Sequence, residues 1–180
     1  LLGSRKSQTY SNFNDFMYNL SYWSSWSNGF NIWKSEFDKI DKNLKLNKLF
    51  PHTSLFLTQH QAKLFCINDN LLFDVQRIPK RGGHNKFEAF TIEYPSLLDE
   101  CCKKGHISTK CKKHILFGIM VQFLPSLLFN KYIIRIETFD DTGFRDNLKK
   151  YYPSYAYWLV LISVLGVPFR LFCRKLKNKR

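Results

Sequence analysis

Acidic residues and cysteine are scarce in this chain, and each shortage excludes a class of protein. The 180 residues include 14 Asp and Glu against 28 Lys and Arg, for a formal net charge of +14. This excess predicts an anionic neighbour, such as lipid headgroups, RNA or an acidic subunit. The five unevenly spaced cysteines are too few for the disulfide framework of a small secreted domain. We therefore expect free thiols in a reducing compartment.

The sequence also lacks the residue patterns that the common classes of enzyme require. No Ser/His/Asp or Cys/His arrangement is locally grouped, and the glycines of the basic loop at 79–86 do not have phosphate-loop spacing. Asp141-Thr-Gly143 matches an aspartic protease element, but the 37 residues after it leave no room for the second half of such a site. We interpret it as a turn between a strand at 132–137 and a helix at 144–150. The protein is predicted not to be an enzyme.

What the chain does have is a long apolar run near its C-terminus. From Tyr151 to Phe172 only Arg170 is charged, and a helix of this length reaches roughly the 30 Å of a hydrocarbon core. Aromatic residues gather at its start, as at a membrane interface, and we expect Arg170 to extend to the headgroups. The predicted anchor residues are Tyr155, Trp158, Leu159, Val160, Pro168, Phe169 and Arg170. The alternative is a buried C-terminal helix of a soluble protein.

A cationic tail follows this run. Its charged residues are predicted to contact anionic lipid or phosphate, and they are Arg174, Lys175, Lys177, Lys179 and Arg180. By the positive-inside rule, the tail places the C-terminus on the cytoplasmic or matrix side. The membrane would then be an endomembrane or the mitochondrial inner membrane.

A second uncharged run, 115–129, contains Pro125 and follows a lysine-rich stretch. Its length and its proline are typical of a buried core segment or a re-entrant hairpin, and a second, short membrane span is the alternative.

The first half of the chain is predicted to be helical and then β-rich. Aromatic and aliphatic residues recur at steps of three or four over 16–44, which indicates one or two amphipathic helices that contact the core or a partner. Asn28-Gly29 would divide the pair, and residues 1–11 would be frayed. Four short β-prone runs at 55–59, 63–67, 71–78 and 87–94 predict a small antiparallel sheet.

These patterns together predict an α+β membrane protein with four regions. They are an amphipathic aromatic helical region at 1–50, a small β-rich extramembrane region with a basic loop at 51–112, an apolar segment and connector at 113–150, and a transmembrane helix with a basic tail at 151–180.

One cluster has the spacing of a retroviral-type zinc knuckle. The matching residues are Cys101, His106 and Cys111. Leu98 stands where the knuckle has another cysteine, so Cys102 or His114 would have to complete the tetrahedral set. The alternative is a group of reduced thiols in a cationic loop, whose lysines would lower the thiol pKa values. Zinc at this cluster is the one cofactor that the sequence indicates.

Three elements near the C-terminus resemble a known family. Asp141-Thr-Gly-Phe-Arg-Asp-Asn-Leu148, Trp158-Leu-Val160 and Pro168-Phe-Arg170 are similar to the C-terminal part of the transmembrane protein 151 family. The match covers about a fifth of the chain. The resemblance implies an integral membrane protein with a sizeable extramembrane region, and it supplies no catalytic residues. The two early membrane helices of that family have no counterpart in this sequence.

Two functions from different classes are consistent with these features. The first is a non-catalytic integral membrane protein, a scaffold or accessory subunit whose partners are the lipid bilayer and other protein subunits. The alternative is a basic accessory protein of an organellar ribosome or another ribonucleoprotein, which would contact RNA phosphates through 79–86, 103–113 and the tail.

Overall fold

A computed structural model describes residues 6–26, 31–69 and 85–178, with side chains as far as Cys173. The helices in these ranges are α1 Phe13–Leu20, α2 Lys34–Phe37, α3 Pro51–Leu57, α4 Lys86–Glu88, α5 Tyr94–Lys103, α6 Thr109–Gly118, α7 Leu124–Leu128, α8 Phe144–Tyr151, α9 Ala156–Leu165 and α10 Val167–Asn178. Shorter 3₁₀ and π-helical turns extend several of them. The described residues are thus mostly helical, and they include one small sheet.

The chain divides into two compact units. The first consists of Leu1–Gln76 and Glu93–Ile115, and the second consists of Arg77–Ile92 and Leu116–Arg180. The predicted strand at 71–78 and most of the basic loop at 79–86 lie outside the described residues, as does the predicted break at Asn28-Gly29.

The sheet of the first unit joins two segments that are distant in the chain. β1, Ser7–Tyr10, pairs antiparallel with β2, Phe65–Asn68, with Ser7 opposite Asn68. Along β2, buried and exposed residues alternate, because successive side chains of a strand point to opposite faces. The predicted strand at 63–67 is confirmed. The expectation of a frayed N-terminus is wrong for β1, because its backbone pairs with β2.

An aromatic cluster forms the core beside this sheet. Phe13 and Phe16 of α1 contact Phe56 of α3 and Phe65 of β2, with ring centroids 5.0–6.1 Å apart. The predicted stripe is confirmed in α1 for Phe16, whereas its other member there, Leu20, is half-buried. It does not continue as a core face into α2, which has no buried residue and exposes Trp33 just before it.

Two of the predicted strands of the β-rich region are helical instead. Residues 55–59 belong to α3 and the turn after it, and residues 87–94 belong to the helical stretch that ends at Lys103. Pro51 occupies the first helical position of α3, where its missing N–H costs no hydrogen bond. The side chain of Asn85 accepts a hydrogen bond from the Glu88 N–H at 2.8 Å and so caps α4. These start signals outweigh the β propensity of the runs that follow.

The second unit has α7 and the turns around it at its centre. Its buried residues here include Ile119, Met120, Leu124, Leu127 and Leu128, and α7 packs against α9. The helix predicted at 144–150 is confirmed as α8, and the turn before it contains Gly143 at a positive φ of 72°. The predicted strand at 132–137 is wrong, because the chain is helical to Ile133 and irregular afterwards.

Two π-helical turns precede prolines. The turn Ala89–Glu93 comes just before Pro95, and the turn Ile119–Phe123 comes just before Pro125. A proline has no N–H to donate and its ring crowds the carbonyl four residues earlier. A wider turn relieves this crowding, which explains the local π geometry.

Candidate membrane surface

The predicted C-terminal membrane helix is a bent pair. α9 ends at Leu165, α10 begins at Val167, and their axes differ by 50°. Pro168 accounts for the bend, since it cannot donate to the carbonyl four residues earlier and its ring would clash there in a straight helix. The Gly166 N–H instead bonds the Ser163 carbonyl at 3.2 Å and closes α9.

One face of the pair is packed into the second unit. Ala156, Val160 and Val167 on this face are at most 3% exposed, and α9 contacts both α7 and the turn Ile119–Phe123. This face accounts for the part of α9 that behaves as an ordinary core helix.

The opposite face is apolar as well, although it is exposed. Six large side chains at alternating steps of three and four residues are between 59% and 81% exposed, and we call them the apolar stripe. They are Tyr155, Trp158, Ile162, Leu165, Phe169 and Phe172. A helix at a protein–water boundary normally has polar residues on its outer face. An outer face of this kind indicates contact with an apolar phase or partner.

Arg170 is the one charged residue of this stretch, and its side chain turns inward. The guanidinium donates hydrogen bonds to the carbonyl oxygens of Val121 and, at 3.3 Å, of Ser163. The Val121 carbonyl precedes Pro125 by four residues, so proline supplies no N–H to it. The Ser163 carbonyl lies in the last turn of α9 and also accepts the Gly166 N–H, so Arg170 is its second donor. Arg170 therefore donates to two backbone carbonyls of its own unit. The sequence had led us to expect that it extends to the headgroups instead.

The remaining predicted anchor residues fall on different faces. Tyr155, Trp158 and Phe169 belong to the apolar stripe, and Pro168 is exposed beside the bend. Val160 is buried and Leu159 is half-buried. Residues 174–178 continue α10, but the side chains of the tail lie outside those that the structure describes.

Among the described residues, one continuous helical stretch is long and apolar enough to cross a membrane. It runs from Thr109 to Ile133, and 56% of its most apolar window is buried. α9 and α10 pass the same test only as a bent pair. Length and composition alone do not separate a membrane span from a buried core helix.

The structure does not bring the predicted zinc ligands together. Cys101 and Cys111 are buried thiols, whereas the His106 ring stacks on His60 with 3.5 Å between centroids. No set of three His, Cys, Asp or Glu side chains within the described ranges is placed to hold a metal ion. Burial raises the pKa of the Cys101 thiol to about 12, and it outweighs the nearby Lys104, which lowers this pKa as expected.

Acidic neighbours pair with several lysines of the basic stretch 103–113. Lys103 and Lys112 lie 2.9 and 2.7 Å from the Asp99 carboxylate, and Lys104 lies 2.6 Å from Glu100. The lysines hold the pKa of Asp99 below its usual value through hydrogen bonds, that of Lys112 being the strongest effect. These ion pairs reduce the net positive charge that this loop presents to a phosphate.

Sequence reasoning missed the link between Arg170 and Val121. The sequence does contain two signals of this link. One is a proline four residues after Val121, and the other is a single arginine in an otherwise uncharged run. Neither feature identifies the other as its partner.

Comparisons with protein-family models, with curated proteins and with solved structures give no match to this chain. The resemblance to the transmembrane protein 151 family therefore stays a prediction.

Proposed function

We propose that this protein is a non-catalytic, membrane-attached scaffold or accessory subunit, and that the apolar stripe is its lipid-contacting surface. The observation that carries the proposal is the outer face of α9 and α10, where six large apolar side chains are exposed. Apart from Arg170, no residue from Tyr151 to Phe172 is charged. A helix that is apolar on all sides suits a buried position or a membrane.

The energy available to this surface is large. Removing one large apolar side chain from water gains about 1.5–3 kcal/mol, so six of them gain on the order of 10 kcal/mol if all are covered. Tyr155 and Trp158 stand at one end of the stripe, and their amphipathic rings suit the headgroup region. The cationic tail follows the other end and suits anionic lipid.

The bonding of Arg170 supports the same proposal. In hydrocarbon, a polar group without a partner costs several kcal/mol, so charged side chains and carbonyls there must bond within the protein. Arg170 meets this requirement by donating to Val121 and Ser163. A buried helix end of a water-soluble protein would gain from the same bonds, but it would not need the exposed stripe.

A non-catalytic, accessory role fits two titratable groups that have raised pKa values and are buried. Burial raises the pKa of Tyr94 far above its usual value, and its hydroxyl bonds the Ser24 hydroxyl inside the first unit. The Cys101 thiol is likewise buried, with a raised pKa. Catalytic groups with shifted pKa values usually open to a cleft that admits substrate, and neither of these side chains is exposed.

A bilayer is favoured over RNA as the anionic partner. Three of the five lysines in 103–113 lie in ion pairs with Asp99 or Glu100, namely Lys103, Lys104 and Lys112. These pairs reduce the positive charge that the stretch offers to RNA phosphates. The apolar stripe adds nothing to phosphate binding, whereas it is required for insertion into lipid.

Flotation with sealed vesicles of phosphatidylcholine and phosphatidylserine tests the proposal. The variant Ile162→Glu with Leu165→Glu places two carboxylates on the stripe. The matched control Asn43→Glu with Thr138→Glu makes the same change in net charge at exposed polar positions. We expect the wild type and the control to float with the vesicles after high salt and alkaline carbonate, and the stripe variant to stay at the bottom of the gradient.

Two results would contradict the proposal. Release of the wild type by high salt would show a purely electrostatic attachment, as expected of an RNA-binding or peripheral protein. Lipid-free dimers that the stripe variant abolishes, together with no flotation of the wild type, would show that a second copy of the chain covers the stripe.

A further inference from the structure

In its bent form, the apolar part of the pair reaches less far than the hydrocarbon core of a bilayer is thick. α9 has 10 residues, which span about 15 Å, and the apolar part of α10, Val167–Cys173, spans about 10 Å at 1.5 Å per residue. With a bend of 50° the two segments together reach only about 23 Å end to end. The hydrocarbon core of a bilayer is about 30 Å thick. A lipid-facing pair of this length matches one leaflet better than two.

The stripe continues through the bend. Its members alternate by three and four residues from Tyr155 in α9 to Phe172 in α10, and Leu165, directly before the bend, is the most exposed at 81%. Polar sequence lies at both outer ends, at Ser154 before α9 and in the tail after Cys173. The apolar middle is therefore at the bend, and both ends are suited to water or headgroups.

Arg170 resists straightening of the pair. It lies on one side of Gly166, and its guanidinium bonds the Ser163 carbonyl on the other side as well as Val121 in the second unit. A straight helix across the membrane would have to break these bonds, and it would leave the carbonyls without these donors. Inside the hydrocarbon, the Val121 carbonyl would then lack the Arg170 donor, which costs free energy.

We propose that α9 and α10 enter a single leaflet as a bent unit, so that Ser154 and Cys173 face the same aqueous compartment. The leaflet is an anionic one, because five cationic residues follow Cys173. This inference rests on the proposed function, since it assumes that lipid covers the apolar stripe. It replaces the spanning helix that the sequence predicts with an anchor that has both ends on one side.

Cysteine labelling in sealed vesicles tests the topology. The full chain is synthesised in a cell-free reaction with preformed phosphatidylcholine and phosphatidylserine vesicles, so that the residues ahead of α9 remain outside. A membrane-impermeant maleimide is then added, before or after permeabilisation. The reporters are native Cys173, Ser154→Cys and Leu165→Cys in separate proteins. Trypsin separates them from the other cysteines, since it cuts after Lys150, Arg170 and Arg174.

We expect Ser154→Cys and Cys173 to be labelled equally before and after permeabilisation, while Leu165→Cys stays protected by lipid. If Cys173 is labelled only after permeabilisation, the pair spans the bilayer and the single-leaflet inference is wrong, although the membrane attachment stands. If Leu165→Cys reacts with vesicles present as fast as it does without lipid, the proposed function itself fails.

Discussion

Two apolar segments of the second unit, 119–129 and 155–172, have similar compositions and opposite surroundings. Each is rich in aliphatic and aromatic residues, and each contains a proline. The first has Ile119 and Leu124 fully buried, whereas the second exposes Ile162 and Leu165. Apolar composition thus states that a segment avoids water, but it does not state whether protein or lipid replaces the water. The arrangement of faces shows a difference between the two segments, because only the second is apolar on the side that no part of its own unit covers.

Truncating one leucine in each segment is expected to give the largest difference in stability between the two segments. Leu124→Ala leaves a cavity in the core and is expected to lower the free energy of unfolding by about 2–5 kcal/mol. Leu165→Ala removes the same atoms from an exposed position, so we expect a change within about 0.5 kcal/mol in lipid-free protein. Urea unfolding followed by circular dichroism measures both variants.

The same pair separates stability from membrane binding. We expect Leu165→Ala to weaken flotation with vesicles, and Leu124→Ala to leave it unchanged under conditions where the variant is folded. Equal losses of stability in the two variants would mean that lipid-free protein also buries the stripe, which would remove the contrast between the segments.

The sequence predicts these segments as elements, but it does not predict their faces. The turn at Gly143 and the helix α8 follow from strong local signals, namely the glycine itself and the four-residue spacing of Phe144 and Leu148. In the structure Gly143 has a positive φ, and both apolar residues are buried. Local β propensity failed at 55–59, 87–94 and 132–137, because short apolar and aromatic runs fit a helix as well as a strand. Pro51 and the Asn85 cap were the deciding residues in the first two cases.

Long-range bonds explain what sequence reasoning could not reach. β1 pairs with β2, which lies far along the chain. Ser7 and Asn68, for example, are 61 residues apart, and their side chains form a hydrogen bond. Arg170 finds Val121 at a separation of 49 residues. A local pattern shows that an acceptor or a donor is missing, whereas only the folded chain shows which one supplies it. The apolar segment at 155–172 was therefore predictable from the sequence, and the inward bonding of its arginine was not.

Arg170 links the two segments through its hydrogen bond to Val121. We expect its replacement to lower stability by less than Leu124→Ala and by more than Leu165→Ala. Arg170→Met keeps an apolar stem but removes the donors to the Val121 and Ser163 carbonyls. We expect the free energy of unfolding to fall by about 1–3 kcal/mol, because the part-buried Val121 carbonyl loses its donor from Arg170, whereas the Ser163 carbonyl keeps the Gly166 N–H. Lys149→Met is the matched control, since Lys149 pairs with Asp146 in an exposed i,i+3 position and such pairs contribute little.

Membrane labelling extends the test of Arg170. If its bonds hold the bend, Arg170→Met allows α9 and α10 to straighten, and Cys173 loses part of its labelling from the outside of sealed vesicles. Unchanged stability and unchanged labelling would show that Pro168 alone maintains the bend.

The smallest expected effect concerns pH, and it separates the first unit from the membrane surface. Burial, then the nearby His60 and Lys104, lowers the pKa of His106 below its ordinary value of 6.5. The unfolded chain therefore takes up this proton first, so the contribution of His106 to stability falls as pH decreases from about 6.5 to the lowered folded pKa, and this contribution is constant on either side of that window. No ionisable group lies on the apolar stripe except the hydroxyl of Tyr155, so vesicle flotation should not follow the change. Urea unfolding and flotation at a series of pH values measure the two responses. His106→Gln should weaken the first without altering the second; a response of the same sign remains, because burial also lowers the pKa of His114. A flotation profile that titrates together with His106 would show that the first unit controls membrane attachment, and the surface could then no longer be treated as independent of it.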